Sequence, residues 1–545
     1  MADTQWWQHA VGYQIYPRSF FDSNHDGVGD LPGILTKIDY LQSLGVDFVW
    51  LSAFYPSGNV DSGYDVTNYC DVAPQYGTLA DFDRLVAAFH GAGIKLVIDL
   101  ALNHTSDQHP WFQAALADPQ GPYHDYYLWQ PATATKQPNN WQSVFGDSAW
   151  TYVPDQQAAY LHTFAAEQPD LNWQNPAVHH EMVQIMQWWA ERGVDGFRFA
   201  GVTHLKKRVD FADVTPATAY YENVADTVTL LADLKPVLTQ NHLLAIGEAG
   251  GIDPRTAQRW LDPATGFFDL LLEFDHVHFW EQATPKLPVA ALRATLSRWQ
   301  QSLEGTGWNT LFIENHDLPR AVSYYGNDQG EYRRRSAKAL GMLYLLMKGT
   351  PFIYQGQELG LPNAGFTKIA DYRDLDSRRY YQRQRAAGVA EPQILSQLAL
   401  QSRDNARTPM PWTHQQYGGF SDHEPWLQLA PGVTQINVER ESHDPHAVLP
   451  FYQQLVRIKK SVPALRSGRY ELIDTGDNQL YVYRRTLNGD NWLVVVNMSD
   501  QPATTQNFDL TTSELILTNL PVDAASDDRQ IQPWEARLYH WRRLE

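Results

Sequence analysis

The sequence predicts an α/β fold, a (β/α)8 barrel with an inserted domain after its third strand and an antiparallel β domain at its C-terminal end. Three observations predict it. Eight short apolar runs recur along the chain, separated by stretches of helical periodicity. The gap between the third and fourth runs is about 90 residues, far more than one crossover helix needs. After about residue 465 the pattern turns to strands joined by turn signals.

In chain order the eight runs are VGYQIYP, VDFVWLSAF, KLVIDLALNH, VDGFRF, LLAIGEA, FFDLLLEF, NTLFIENHD and PFIYQGQE. Continuous apolar runs of this length suit parallel strands buried on both faces. Between them lie amphipathic stretches such as ADFDRLVAAFHGAG and HHEMVQIMQWWAERG. The latter sets Met182, Ile185, Met186 and Trp189 on one helical face. Alternation of this kind gives a TIM barrel over residues 1–103 and 173–464. Residues 104–172 begin rich in Pro, Gln, Asn and aromatics and form the insert. Residues 465–545 carry LYVYRRTL, WLVVVNMS and ARLYHWRR, with Asn488-Gly489 as a hairpin signal.

Composition narrows the function. With 545 residues, several domains are expected. The formal net charge of −20 disfavours nucleic acid and anionic membranes as partners. One cysteine, Cys70, excludes an intrachain disulfide. The N-terminal stretch lacks a basic segment followed by an apolar one, and the longest apolar stretch is cut by Lys348 and Pro351. A cytoplasmic location, no membrane and no nucleic acid are therefore expected. Aromatics make up 13% of the residues, and rings beside polar groups suit sugar faces.

In a barrel of this kind, chemistry sits at the C-terminal ends of the strands. Here those ends are polar: Asp99, Asn103 and His104 on the third run, Arg198 on the fourth, Glu248 on the fifth, and Asn315, His316 and Asp317 on the seventh. One polar strand end is more often a cap or a solvated loop. Several on one face, with carboxylates from different strands, suit glycosidic bond cleavage, which needs a proton donor and a carboxylate facing an oxocarbenium-like carbon. The fourth run, GVDGFRFAGVTH, sets Val194, Gly196, Arg198 and Ala200 on one face. A buried arginine there calls for a carboxylate, yet the same-face neighbour is an alanine.

The motifs DLALNHTSDQHPWF, QPDLNWQNP, GVDGFRFAGV, IGEAGG, IENHDLPR and SRDNARTPMPW stand together, in order, over residues 1 to about 465. As a set they resemble the α-amylase superfamily of glycoside hydrolases (family 13), and within it the oligo-1,6-glucosidase, dextran glucosidase and α-glucosidase subfamily. The resemblance implies an exo-acting retaining α-glucosidase that takes small oligosaccharides. It implies Glu248 as general acid/base and Asp317 as the carboxylate that grips the sugar hydroxyls. It sets His104 and His316 around the bound glucose, Tyr64 as stacking platform and Arg198 beside the nucleophile. It makes Asp61 and Arg407 an ion pair closing the far end of the pocket, with Phe145, Phe164 and Gln168 lining it from the insert.

The nucleophile position departs from the family pattern GFRMD: this chain has GFRFA, with Ala200 where a retaining enzyme carries aspartate. A nucleophile-inactivated glucosidase is the first expectation. A pseudoenzyme that binds sugars or a protein partner is the alternative, and a transglucosylating or isomerising member a minor one. Loss of one carboxylate among intact partners favours the first. In the subfamily, valine after the nucleophile accompanies α-1,6 preference; Gly201 stands there and leaves the linkage open. Finally, Asp22, Asn24, Asp26, Val28 and Asp30 in DSNHDGVGD have EF-hand-like oxygen spacing, without the closing glutamate. The subfamily carries calcium, or magnesium, in such a loop, so a structural divalent ion is expected; a solvated acidic loop is the other reading.

Overall fold

The structure, a computed structural model, describes residues 5–221, 226–276, 288–505, 513–521 and 529–542. All eight apolar runs become strands. They are β1 (Gly12–Ile15), β2 (Phe48–Leu51), β3 (Lys95–Ala101), β7 (Gly196–Ala200), β8 (Leu244–Glu248), β9 (Leu270–Leu272), β10 (Thr310–Leu311) and β11 (Thr350–Tyr354), with β4 to β6 in the insert. The barrel order is β10-β11-β1-β2-β3-β7-β8-β9, and every ladder in it is parallel. At the remaining seam the Thr310 hydroxyl donates to the Leu271 carbonyl. Strands β1, β2 and β11 are buried along their whole length, as strands covered on both faces must be.

The helices form as their sequences dictate. The helix Leu79–Gly91 starts in a capping box made by Thr78 and Asp81. The helix Pro176–Glu191 has Pro176 at its first position and the Asn175 side chain capping the Ala177 amide. Its predicted face, Met182, Ile185, Met186 and Trp189, is buried, and Trp189 meets Phe54 and Phe82 edge to face.

Within the insert β4 (Trp129–Pro131), β5 (Trp150–Val153) and β6 (Ala158–Leu161) form an antiparallel sheet in the order β4-β6-β5. Its aromatic core draws on a second segment from outside residues 104–172. Val214, Tyr220 and Tyr221, from the loop after β7, pack with Trp141, Trp150 and Leu161. Trp141 stacks on Tyr220 at 4.2 Å, and the Asn140 side chain brackets the Val214 backbone in two hydrogen bonds. The loop that carries the strand end of β7 is thereby fastened to the insert.

The C-terminal unit is a five-stranded antiparallel sheet of β12 (Arg469–Leu472), β13 (Leu480–Leu487), β14 (Asp490–Asn497), β18 (Ala536–Arg542) and β16 (Glu514–Thr518). Two short strands, β15 (Ala503–Thr504) and β17 (Gln530–Ile531), pair beside it. Asn488 and Gly489 both have positive φ between β13 and β14, as a two-residue hairpin of this twist requires.

Candidate active site

The polar strand ends converge on a cavity of about 240 Å³ at the C-terminal mouth of the barrel. Asp61, Tyr64, His104, Phe164, Arg198, Ala200, Gly201, Glu248 and Asp317 line it. A larger open cleft of about 870 Å³, bordered by Trp7, Lys235, Trp260, Asp269 and Trp308, lies by the opposite strand ends and shares none of these residues.

Register builds the centre of the site. Asp99 on β3 stands beside Arg198 on β7, and two residues on Ala101 stands beside Ala200. The Arg198 guanidinium, 1% exposed, lies 3.3 Å from Asp99 and 4.9 Å over the Trp50 ring. Asp99 also accepts from Trp50 Nε1 at 2.8 Å and from the Tyr64 hydroxyl at 2.6 Å. Burial pushes the Asp99 carboxyl up, against the pull of Arg198. From β8, Glu248 reaches the same arginine at 2.7 Å, in an ion contact without hydrogen-bond geometry, and accepts the Gly201 amide at 2.6 Å. Burial raises the Glu248 carboxyl, Arg198 lowers it and Asp317 raises it again, with a net rise. A carboxyl held up in this way suits a proton donor. At Arg198 two buried nitrogens, Nε and one terminal NH2, have no hydrogen-bond acceptor.

The other end of the cavity is held differently. Arg407 NH2 lies 2.8 Å from Asp317, its Nε donates to the His316 carbonyl at 2.9 Å, and its remaining nitrogen donates to Ser62 Oγ at 3.1 Å. Arg403 lies 3.2 Å from Asp61, 3.4 Å from Asp317 and 2.7 Å from Asp374. Burial opposes ionisation of Asp317, but His316, Arg403, Arg407 and Arg198 together hold its carboxyl well below the usual range. His316 is fully buried, and desolvation drops its pKa to about 3. Gln14 donates to Nδ1 at 2.7 Å, so the neutral ring carries its proton on Nε2, 2.7 Å from the Tyr64 hydroxyl. Tyr64 passes its own proton toward Asp99. His316, Tyr64 and Asp99 thus form one chain from the pocket floor to Arg198.

Three expectations change. Asp61 does not pair with Arg407: its partner is Arg403, four residues earlier, while Arg407 turns to Asp317. Arg407 was selected by the motif, but the chain from Ser402 to Asn405 makes a short turn that aims Arg403 at Asp61 instead. Phe145 does not line the cavity. Its ring stands behind Phe164 at 6.4 Å, with the Arg379 guanidinium over its face at 5.2 Å. Gln168 is likewise one layer back, fully buried, its amide 3.0 Å from His104 Nε2 and 3.4 Å from Asp61. It positions the pocket wall and does not form it.

Arg403, Asp374, His204 and Phe274 also belong to the site and were not singled out. Arg403 stands within SRDNARTPMPW, four residues before Arg407. His204 packs between Phe164 at 5.1 Å and Tyr221 at 4.8 Å, and desolvation lowers its pKa to about 4. Only the fold brings Tyr221 there. Gly201 has φ +58, and a Cβ on it would meet His204 and Phe164 at 3.6 and 3.7 Å. Its bare backbone leaves the space between those rings open beside Glu248.

In the loop 22–30 the five named residues wrap on themselves. Asp22 accepts from the amides of Asn24, His25 and Gly27, and Asp30 from those of Ser23 and Gly33. Both carboxylates share the Asn24 amide, at 3.1 and 3.2 Å. Among the described residues no ion pair reaches Asp22, Asp26 or Asp30, and no three His, Cys, Asp or Glu side chains gather as metal ligands. A cation here would draw on the Asn24 amide oxygen and the Val28 carbonyl as well as carboxylates, a donor set of oxygens only.

Residues 14–468 match the catalytic domain of the α-amylases. The chain belongs to the α-amylase family. It is 40% identical to an oligo-1,6-glucosidase of Parageobacillus thermoglucosidasius over 554 residues, covering 98% of each chain. It is 39% identical to an α-glucosidase of Pediococcus pentosaceus, covering 99% of each. Among solved structures, isomaltulose synthase from Klebsiella sp. LX3 superposes with a TM-score of 0.94 at 35% identity, over 99% of this chain and all of the other. As a family member the chain is an α-glucosidase-like glycoside hydrolase by relationship. Among the described residues no helix is long and apolar enough to cross a membrane.

Proposed function

We propose that this chain binds the non-reducing-end glucose of short α-glucosides in an exo-acting site, and that Ala200 removes the covalent step from an otherwise complete retaining α-glucosidase. The observation that carries the reading is the contrast between the full network around Asp317 and the methyl group at the end of β7. Glu248 is the proton donor, Asp317 and His104 hold sugar hydroxyls, Tyr64 offers its ring, and Arg403 with Asp61 closes the far end. A closed end admits one terminal sugar and stops chain threading. Without a carboxylate at position 200, no glucosyl-enzyme ester can form. The experiment is a panel of isomaltose, maltose, trehalose, sucrose and a nitrophenyl α-glucoside on the Ala200→Asp protein. Hydrolysis with retention is expected on at least one, faster by about 10⁴-fold or more than the unsubstituted chain. A restored protein inactive across the panel would favour the second reading, a sugar-binding pseudoenzyme, which Ala200 itself supports.

The same reading gives the loop 22–30 a structural calcium or magnesium ion. Its support is the pair of buried carboxylates, Asp22 and Asp30: burial raises the Asp30 carboxyl and the Asp22 charge adds to the rise, and no basic side chain pairs with either among the described residues. Chelation should lower the melting temperature by a few degrees, and readdition of calcium should restore it. An unchanged melting curve in chelator would leave the loop a self-capped acidic turn.

A further inference from the structure

We infer that the open cleft at the N-terminal strand ends, bordered by Trp7 and Trp260, is a second carbohydrate site that takes a neutral oligosaccharide. The cleft stands apart from position 200 and shares no residue with the cavity at the barrel mouth.

Two indole nitrogens carry it. A buried tryptophan usually finds an acceptor for its N–H inside the fold. Among the described residues every buried tryptophan but two does so, as Trp308 does on Thr350 Oγ1 at 2.9 Å. The two exceptions are Trp7 and Trp260, 7% and 5% exposed, and both border this cleft. Neither indole nitrogen is fully enclosed, so each N–H opens to the solvent of the cleft. Packing fixes both rings. Trp7 meets Trp308 edge to face at 6.2 Å, and its carbonyl accepts the Thr350 hydroxyl at 2.7 Å. Trp260 lies 5.9 Å from Phe268, and its carbonyl accepts the amides of Phe267 and Phe268, each at 3.1 Å. Donors fixed before binding lose little freedom when a ligand arrives.

The rest of the lining supplies what a polyol needs, since each sugar hydroxyl both donates and accepts. Lys235 gives one N–H to the Phe267 carbonyl at 2.9 Å and keeps its other donors. Asp269 accepts the Ala245 amide on one carboxylate oxygen at 2.9 Å, and Gln258 donates to the Ser302 carbonyl through its amide nitrogen and keeps its oxygen. The cations of the lining, Lys235 and Arg259, are outnumbered by Asp226, Asp262 and Asp269. The cleft therefore has no positive excess to hold a phosphate or a nucleotide, and a neutral ligand rich in hydroxyls fits its balance. Its volume of about 870 Å³, against about 240 Å³ at the barrel mouth, gives room for several linked sugars.

The experiment follows amide hydrogen exchange of the unsubstituted chain with isomaltotriose, maltotriose or inorganic phosphate. At least one trisaccharide should slow exchange saturably in residues 256–268 and 303–308, at the cleft, and phosphate should not. Trp7→Phe and Trp260→Phe keep a ring in place and remove the N–H. In each, the affinity read from those segments should fall about fivefold, the worth of one hydrogen bond. Asp317→Ala should weaken protection at the barrel mouth and leave that at the cleft. No slowing at the cleft by either sugar in the unsubstituted chain overturns the inference, and that result depends on no variant. Protection by phosphate equal to that by sugar, or affinity unaltered in both phenylalanine variants, also overturns it. Protection at the cleft without any at the barrel mouth upholds the second site and counts against the proposed function alone.

Discussion

Two buried arginines stand at the two ends of the barrel-mouth cavity, Arg198 lining it and Arg407 behind Asp317, and they differ in one respect. Arg198 and Arg407 are each 1% exposed. Arg407 spends its nitrogens on Asp317, the His316 carbonyl and Ser62. Arg198 faces Asp99 and Glu248 but meets Glu248 without hydrogen-bond geometry and leaves its Nε without a partner. Relaxed selection on a site would loosen both ends alike. Here one end is saturated and the other is not, as the proposed reading of a departure confined to position 200 expects.

Removing each arginine should sharpen that contrast. Arg407→Met leaves the buried Asp374 and the partly exposed Asp317 with Arg403 as their one remaining arginine, and should destabilise the protein by about 3 kcal/mol. Arg198→Met strands Asp99, but Trp50 and Tyr64 still donate to it and Glu248 can take up a proton; about 2 kcal/mol is expected. Urea denaturation of both variants reads the difference, and equal losses would break the comparison.

Another buried carboxylate extends the same reasoning away from the cavity. Glu358 is fully buried, accepts from Tyr13 and Tyr40 on one oxygen and leaves the other unpartnered. Desolvation raises its pKa from 4.5 to about 7, the two tyrosines pulling it back. A carboxyl raised on folding contributes stability that is complete below its unfolded value near 4.5 and is lost as pH climbs through about 7. The loss amounts to about 3 kcal/mol at most. Melting temperature should therefore fall between pH 5 and 8, and Glu358→Gln should flatten that part of the profile. An unaltered profile in the variant would assign the pH dependence elsewhere.

A smaller effect is expected at the closed end. Asp61→Ala removes one of the three carboxylates on Arg403 and the acceptor facing Gln168. Affinity for isomaltose should drop about tenfold to a hundredfold by calorimetry, with little change in stability. Unchanged affinity would take Asp61 out of the sugar site.

The barrel was legible in the sequence because parallel strands need continuous apolar runs, and all eight runs became strands. The hairpin at Asn488-Gly489 was legible for a local reason too, since both residues adopt the left-handed backbone. Glu248, Asp317, Arg198, His104 and Tyr64 converge because motifs at strand ends inherit their position from the strands. What could not be read were choices made by packing over long separations. Arg403 and Arg407 sit one helical turn apart in one motif, and only the path of the turn decides which meets Asp61. Phe145 and Phe164 are both aromatic and both in the insert, and only the fold puts one ring behind the other. The union of Tyr220 and Tyr221 with Trp141 joins residues about 80 positions apart, with no local pattern to mark it.

The central claim is that a competent glucose pocket here lacks only its nucleophile. The most direct test incubates isomaltose and maltose with the unsubstituted chain and follows binding by calorimetry and sugar composition by NMR over the same hours. The account predicts saturable binding of at least one disaccharide, which stays intact. Glucose released at a rate equal to that of the Ala200→Asp protein would contradict it, because the covalent step would then be carried by some other group.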